Sequence, residues 1–366
     1  MEIIRTWDGV LFVLSFLLLL VGLAALYASS RVRPEVVTLF NHQLIGAGLG
    51  LIVLVLAAAV DYHTYRSWSK VLYVFALVLL VLVLLFGRTI NGTTGWFRFS
   101  GISFQPVELV KFIWILVLAN YLSRVGPPLN LGKTVAVVLL GLPPIGLILW
   151  QPDLGSVLMM VITTAVLLFA IPKPRRWWAV VAAVLIVVAL VGTFFLKPYQ
   201  KNRIATFLNP QADPLGSGYN VTQSIIAVGA GGWWGRGLGL GTQSQLSFLP
   251  EQHTDFIFAS IAEELGVVGS LLVIGLWIGV LGRIWWLLRR LRDDFAVLIA
   301  LGIGGLLLVQ VVLNIGMNLG LAPVVGITLP LVSYGGSSLI ATMGAIGILQ
   351  NLARHYGRRA PQEVGA

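Results

Sequence analysis

Residues 9–29, GVLFVLSFLLLLVGLAALYAS, decide the fold. No charged side chain interrupts them. As an α-helix the run is about 30 Å long, which matches the roughly 30 Å hydrocarbon core of a bilayer. That core has no water for backbone N–H and C=O groups to bond, so a spanning run of this kind must be helical. It follows Arg5 and so has the flank of a signal peptide. Its apolar stretch exceeds the usual h-region of about 7–15 residues, so it is read as an uncleaved first span.

Similar runs recur, and ten spans can be drawn: 9–29, 36–60, 70–87, 106–123, 134–151, 153–171, 177–196, 256–287, 295–319 and 336–353. The expected fold is an all-α integral membrane protein, with about ten transmembrane helices in one bundle. It is a single polytopic membrane domain over 1–366, and the large outer loop 197–255 is inserted between helices 7 and 8. Gln151-Pro152-Asp153 reads as a tight hairpin, and Pro143-Pro144 should kink the fifth span. The eighth span is too long for simple crossing, so its start near Asp255 is expected in a cavity rather than in lipid.

Composition agrees. Of 366 residues 58% are hydrophobic and 10% charged, whereas a soluble domain averages about 25% charged. The absence of cysteine excludes disulfides, thiol nucleophiles and thiolate metal sites. The net charge of +10 sits mostly in short loops. That reads as topology and anionic headgroups, not nucleic acid. An even number of spans puts both termini on one side, and the loops there hold most of the Lys and Arg. Both termini are therefore expected in the cytoplasm.

The outer segments 88–105, 197–255 and 320–335 are irregular and rich in Gly, Trp and polar residues. Long loops of this kind are where function concentrates. Ionisable groups at membrane depth cost roughly 2.5–3.5 kcal/mol and persist when paired or functional. Glu108 and Lys111, spaced i,i+3, can neutralise one another. Alternatively, Lys111 faces a cavity and pairs with a carboxylate of another span, such as Asp153. Asp255 follows LPEQHT and opens the eighth span. It reads as an N-cap, or as a general base or metal ligand at the outer mouth. Glu264 falls roughly opposite Asp255 on that helix and is expected to face another helix. Lys201, Arg203 and Arg236, with nearby aromatics, are either an interfacial loop or a cradle for an anionic headgroup.

Other chemistries find no support. The glycines of 229–241 follow no predicted strand, so no nucleotide site is read from them. His42, His63, His253 and His355 show no zinc spacing, and no haem is expected.

The ordered motifs resemble one family, the shape, elongation, division and sporulation (SEDS) proteins. They are FQPVELVK (104–111), QPDLGS (151–156), DPLGSGYNVTQSIIAVGAGG (213–232), LGTQSQLSFLPEQHTDFIFASIAEELG (240–266) and PLVSYGGSS (330–338). GTQSQLSFLPEQHTDF and Pro323-Val324-Val325-Gly326 are similar to the elongation branch. Val107 departs from the family's usual Ser, and Gly92-Thr93-Thr94-Gly95-Trp96 replaces its usual Gly-Ala-Arg-Arg-Trp.

The resemblance implies a peptidoglycan glycosyltransferase that polymerises lipid II on the outer face of the bacterial cytoplasmic membrane, for elongation and rod shape. It puts the essential aspartate on Asp255, as general base or metal ligand. It makes Trp96, Arg98, Glu108, Lys111, Asp153, Lys201, Arg203, Arg236, Ser333 and Tyr334 candidates for substrate binding. It also implies a divalent cation (Mg2+ or Mn2+), a class B penicillin-binding protein as partner, and the elongation machinery. Two other classes stay open: a lipid II flippase, and a scaffold that recruits the penicillin-binding protein.

Overall fold

The computed structural model describes residues 7–90, 92–99, 102–178, 206–207, 218–245, 248–249 and 251–357. The chain opens with α1 (Gly9–Val32), α2 (Pro34–Ala59) and α3 (Tyr62–Phe86). β1 (Arg88–Ile90), β2 (Thr93–Phe99) and β3 (Ile102–Phe104) follow, then α4 (Pro106–Val125), α5 (Leu131–Trp150) and α6 (Leu154–Ala170). The last elements are α7 (Tyr219–Ala230), the single turn α8 (Thr242–Gln245), α9 (Ile257–Leu288), α10 (Asp294–Asn318) and α11 (Gly336–Gly357).

Among the described residues eight helices are long and apolar enough to cross a membrane, and α6 is a shorter apolar one. The expected span 177–196 lies outside the described residues beyond Trp178, and so do Lys201 and Arg203.

Helix starts follow the local sequence. Asp8 accepts Leu11 N–H at 3.0 Å to cap α1, and Asn130 accepts Lys133 N–H at 2.9 Å to cap α5. Pro34 and Pro106 open α2 and α4, where the missing N–H is no loss. Pro143 and Pro144 lie inside α5 without ending it. α4 and α11 form the centre of the bundle. In each, 83% of the most apolar window is buried, against 22% in α3. α3 therefore turns most of its side chains outward, as a lipid-facing helix must.

The described chain ends meet. Asp8 N–H donates to Gln350 Oε1 at 2.7 Å, and Gln350 Nε2 donates to the Asp8 carbonyl at 3.0 Å. The two ends thus share one face, here the terminal face. α1 runs from it to the opposite end of the bundle, where Arg33 Nη2 donates to the Gln245 carbonyl at 2.8 Å.

Two features depart from a plain helical bundle. First, the segment expected as irregular between α3 and α4 is a three-stranded antiparallel sheet in the order β1-β2-β3. Thr, Trp and Phe in β2 favour a pleated surface, and Gly92 supplies the turn with φ 79°.

Second, the 32-residue α9 is broken at Gly266, with φ 67° and ψ −161°. The break leaves backbone groups on both sides without helical partners, and the 231–237 loop supplies them. The Glu263 and Glu264 carbonyls accept Arg236 N–H at 3.0 Å and Gly237 N–H at 2.9 Å. In return Val267 N–H donates to the Gly232 carbonyl at 2.9 Å, and Val268 N–H to that of Trp233 at 3.3 Å. A Cβ on Gly235 would stand 2.1 Å from the Glu264 carbonyl oxygen, and one on Gly266 2.4 Å from Gly235 N. Only glycine lets the two backbones approach this closely.

Candidate active site

Asp255 lies in the turn 251–256 that leads into α9. It is not the helix cap. The N-cap position is Phe256, whose side chain makes no capping bond. This corrects the N-cap reading: the cap position falls one residue after Asp255. Within the turn, the Glu251 carbonyl accepts Thr254 N–H at 3.1 Å and Phe256 N–H at 3.2 Å.

Three consecutive carbonyls of this turn are held from outside. The His253 carbonyl accepts Tyr334 N–H at 2.7 Å. That of Thr254 accepts Ser333 Oγ at 2.6 Å. That of Asp255 accepts Asn314 Nδ2 at 3.0 Å and Asn318 Nδ2 at 2.9 Å. Asn314 and Asn318 are fully buried, and their other bonds fix them in turn. Asn314 Nδ2 also reaches the Ile327 carbonyl at 2.7 Å, and Asn318 Oδ1 accepts Ala259 N–H at 2.9 Å. Peptide planes so held fix the backbone from which the Asp255 side chain projects. Its Oδ2 lies against Gly326, where an added Cβ would stand 3.6 Å away. Gly326 has φ 73°, a conformation that favours glycine.

The 325–335 loop joins Asp255 to the other polar motifs. Gly155, in the first turn of α6, packs so closely that a Cβ would lie 2.8 Å from the Val325 carbonyl oxygen. Asp153 caps α6, accepting Ser156 N–H at 2.9 Å and Ser156 Oγ at 2.8 Å. It also accepts Gln105 Nε2 at 3.2 Å. Gln105 N–H donates to Ser337 Oγ at 2.8 Å, and Thr328 and Ser338 hydroxyls lie 3.1 Å apart. Thr94 N–H donates to the Gln151 carbonyl at 3.2 Å, tying β2 to the same hairpin. Segments from the sheet, the α5–α6 hairpin, the Asp255 turn and the start of α11 therefore form one polar mouth.

The remaining candidates divide. Lys111 Nζ pairs with Glu108 Oε1 at 2.8 Å, and both are buried. The pairing with Asp153 entertained for Lys111 is thus not the one formed, because Glu108 sits one turn away on the same helix face. Ser333 and Tyr334 clamp the turn, and Gln43 Nε2 donates to the Ser333 carbonyl at 3.0 Å. Burial pushes the Tyr334 phenol above its usual range, so it remains protonated. Arg236 is exposed and donates to the Ala230 carbonyl at 3.2 Å and to Thr242 Oγ1 at 3.0 Å. Trp96 is half-buried and Arg98 exposed on β2. Glu263 and Glu264 both reach back to the outer loop: Glu263 accepts Gln243 N–H at 2.8 Å, and Glu264 bonds the backbone of Gly239.

Asn314, Asn318 and Gln43 were not read from the sequence, and Gly326 was read only as part of the 323–326 motif. Asn314 and Asn318 did carry a signal: two amides at i,i+4 in an apolar span are expensive unless bonded.

Among the described residues no three His, Asp or Glu side chains come together as a metal cage. A magnesium-like ion that keeps several waters needs only one or two protein carboxylates. Asp255 could supply one.

The described architecture is that of a polytopic membrane protein with a polar mouth at the end opposite its termini. The family model for FtsW, RodA and SpoVE, described as cell cycle protein, matches residues 7–358. The chain belongs to this family. It is similar to the peptidoglycan glycosyltransferase MrdB of Escherichia coli strain K12, at 38% identity over 309 residues that cover 84% of this chain and 83% of the relative. Its fold is similar to that of the rod shape determining protein RodA of Thermus thermophilus, with a TM-score of 0.71 and 31% identity, covering 96% of this chain and 97% of that one. It is also similar to a chain from a peptidoglycan synthase complex described as coordinating polymerization and crosslinking. There the TM-score is 0.83 and the identity 35%, over 96% of this chain and 98% of the other.

Proposed function

We propose that this chain is a peptidoglycan glycosyltransferase, polymerising lipid II on the outer face of the cytoplasmic membrane for cell elongation. Its similarity to MrdB and to FtsW proteins supports the activity, and the elongation branch rests on the motifs at 241–256 and 323–326. One observation carries the site assignment: three successive carbonyls around Asp255 are clamped by neighbouring segments. A reacting group needs that kind of fixed direction.

In this reading Asp255 takes the proton of the acceptor GlcNAc 4-hydroxyl. The hydroxyl oxygen forms a bond to the anomeric carbon of the donor glycan chain. The bond from that carbon to the pyrophosphate oxygen breaks, and undecaprenyl pyrophosphate leaves with the electron pair. A single carboxylate suits direct inversion, since double displacement needs a second carboxylate as nucleophile. In the alternative role, Asp255 would instead hold a divalent cation, which would supply charge neutralisation for the pyrophosphate. Lys111 and Glu108 shape the cavity, Asp153 holds the start of α6 beside it, and Ser333 and Tyr334 hold the Asp255 turn. Arg236, Arg98 and Trp96 stand on the outer side, with Lys201 and Arg203 assigned there by sequence, for the headgroup. A class B penicillin-binding protein is the partner, in keeping with the similarity to a synthase-complex chain.

The test is lipid II polymerisation by the purified chain with its partner in detergent, comparing the natural protein with Asp255→Asn. Glycan strands from the first and none from the second are expected. Movement of lipid II across vesicles without polymerisation would make the chain a flippase instead.

A further inference from the structure

The terminal face carries a cavity that the glycosyl-transfer reading does not use. It has a volume of about 140 Å³ and is lined by Trp7, Asp8, Arg283, Trp286, Arg290 and Tyr356, among others. A cavity of about 150 Å³ is large enough to admit benzene, so a phosphate group fits. α1, the end of α9 and the end of α11 all border it.

Its charge is uneven. The guanidinium carbons of Arg283 and Arg290 each lie 3.5 Å from the Trp286 ring centroid. Two groups at that distance must occupy opposite faces of the indole. Arg283 is neutralised, its Nε donating to Asp8 Oδ2 at 2.7 Å. Arg290 has no carboxylate partner among the described residues. Arg289 and Arg292 flank it in sequence. Cations after a helix C-terminus complement its dipole, but that alone needs neither a cavity nor an indole between two guanidinium groups. The indole N–H of Trp7, another lining residue, is buried without an acceptor among the described residues, and a buried donor of that kind calls for one.

We propose that this cavity binds the phosphate of an anionic phospholipid from the leaflet beside the termini. Arg290 offers a planar fork that grips phosphate at two points. Trp7, Trp286 and Tyr356 are the residue types that settle at headgroup depth. Trp285, next in sequence to Trp286 and 62% exposed, offers an apolar contact for the acyl chains. A lipid seated here ties the start of the chain to its last helix and to the α9–α10 connection, on the face opposite Asp255.

The full chain, purified in neutral detergent, tests this by thermal unfolding. Phosphatidylglycerol should raise the melting temperature saturably, and phosphatidylcholine should not. Arg290→Gln should weaken the half-saturating concentration by roughly tenfold or more, the loss of one charge-assisted contact. Arg290→Lys should fall between, and Arg289→Gln, outside the lining, should match the natural protein. Inorganic phosphate, as a separate arm, should protect far less. If it protects equally and through Arg290, the anion site stands and its ligand is soluble phosphate. Equal effects of Arg289→Gln and Arg290→Gln, or equal protection by both lipids, would overturn the proposal. Because Arg290 is exposed, its substitutions leave the fold available for the measurement.

Discussion

Asp153 and Asp255 look alike in sequence: each stands at the head of an apolar helix shortly after a proline. The structure uses them in opposite ways. Asp153 turns its carboxylate onto its own helix and onto Gln105. Asp255 stops one residue short of the cap, and its main-chain carbonyl is the group held by neighbours. In the first case the side chain builds the fold. In the second the fold aims the side chain.

Four measurements can break or sharpen that contrast. The largest effect is expected for Asp255→Asn. Lipid II polymerisation should fall by about 10²–10⁴, the range for losing a general base, with an unchanged melting temperature. A large stability loss would make Asp255 a structural carboxylate like Asp153. Second, Lys111→Met leaves Glu108 charged and buried, and should destabilise by about 3–5 kcal/mol. The pair Glu108→Leu with Lys111→Met should recover the melting temperature, while polymerisation stays below that of the natural protein. Full recovery of both would remove these residues from the cavity's chemistry.

Asn318→Leu comes third. It deletes one donor to the Asp255 carbonyl, and a misplacement of about 1 Å costs roughly 10²-fold in rate. Turnover should fall with Asp255 still present, which a purely structural asparagine would not produce once activity is normalised to folded protein. The smallest effect belongs to Asp153→Ala, a lost cap worth about 1 kcal/mol. Asp153→Ser should restore most of it, and polymerisation per folded molecule should change little in either.

The spans were legible because membrane length and an apolar run nearly suffice to define a helix in lipid. The sheet at 88–104 was not, since strands of three to seven residues leave too short a pattern to separate from a loop. The position of Asp255 at the mouth was readable from the local sequence. Its clamp was not, because the bonds from Asn314 and Asn318 cross 59 and 63 residues of chain. The same holds for the α9 break. Its overlength was visible, but the partner loop lies some 30 residues upstream. Lys111 met the partner nearest in sequence, Glu108, over the more distant Asp153.

The exchange of backbone bonds at Gly266 has a mechanical side. A surface loop usually absorbs a push by bending. Here the 231–237 loop shares four hydrogen bonds with α9, so the loop and the short helical piece between Phe256 and Gly266 behave as one lever. Asp255 sits at the far end of that lever. The exposed Trp233 and Trp234 stand on that loop, at the other end of the helical piece from Asp255. The amides of Gly237 and Val267 should then exchange with solvent together, at a single rate, whenever that lever lifts.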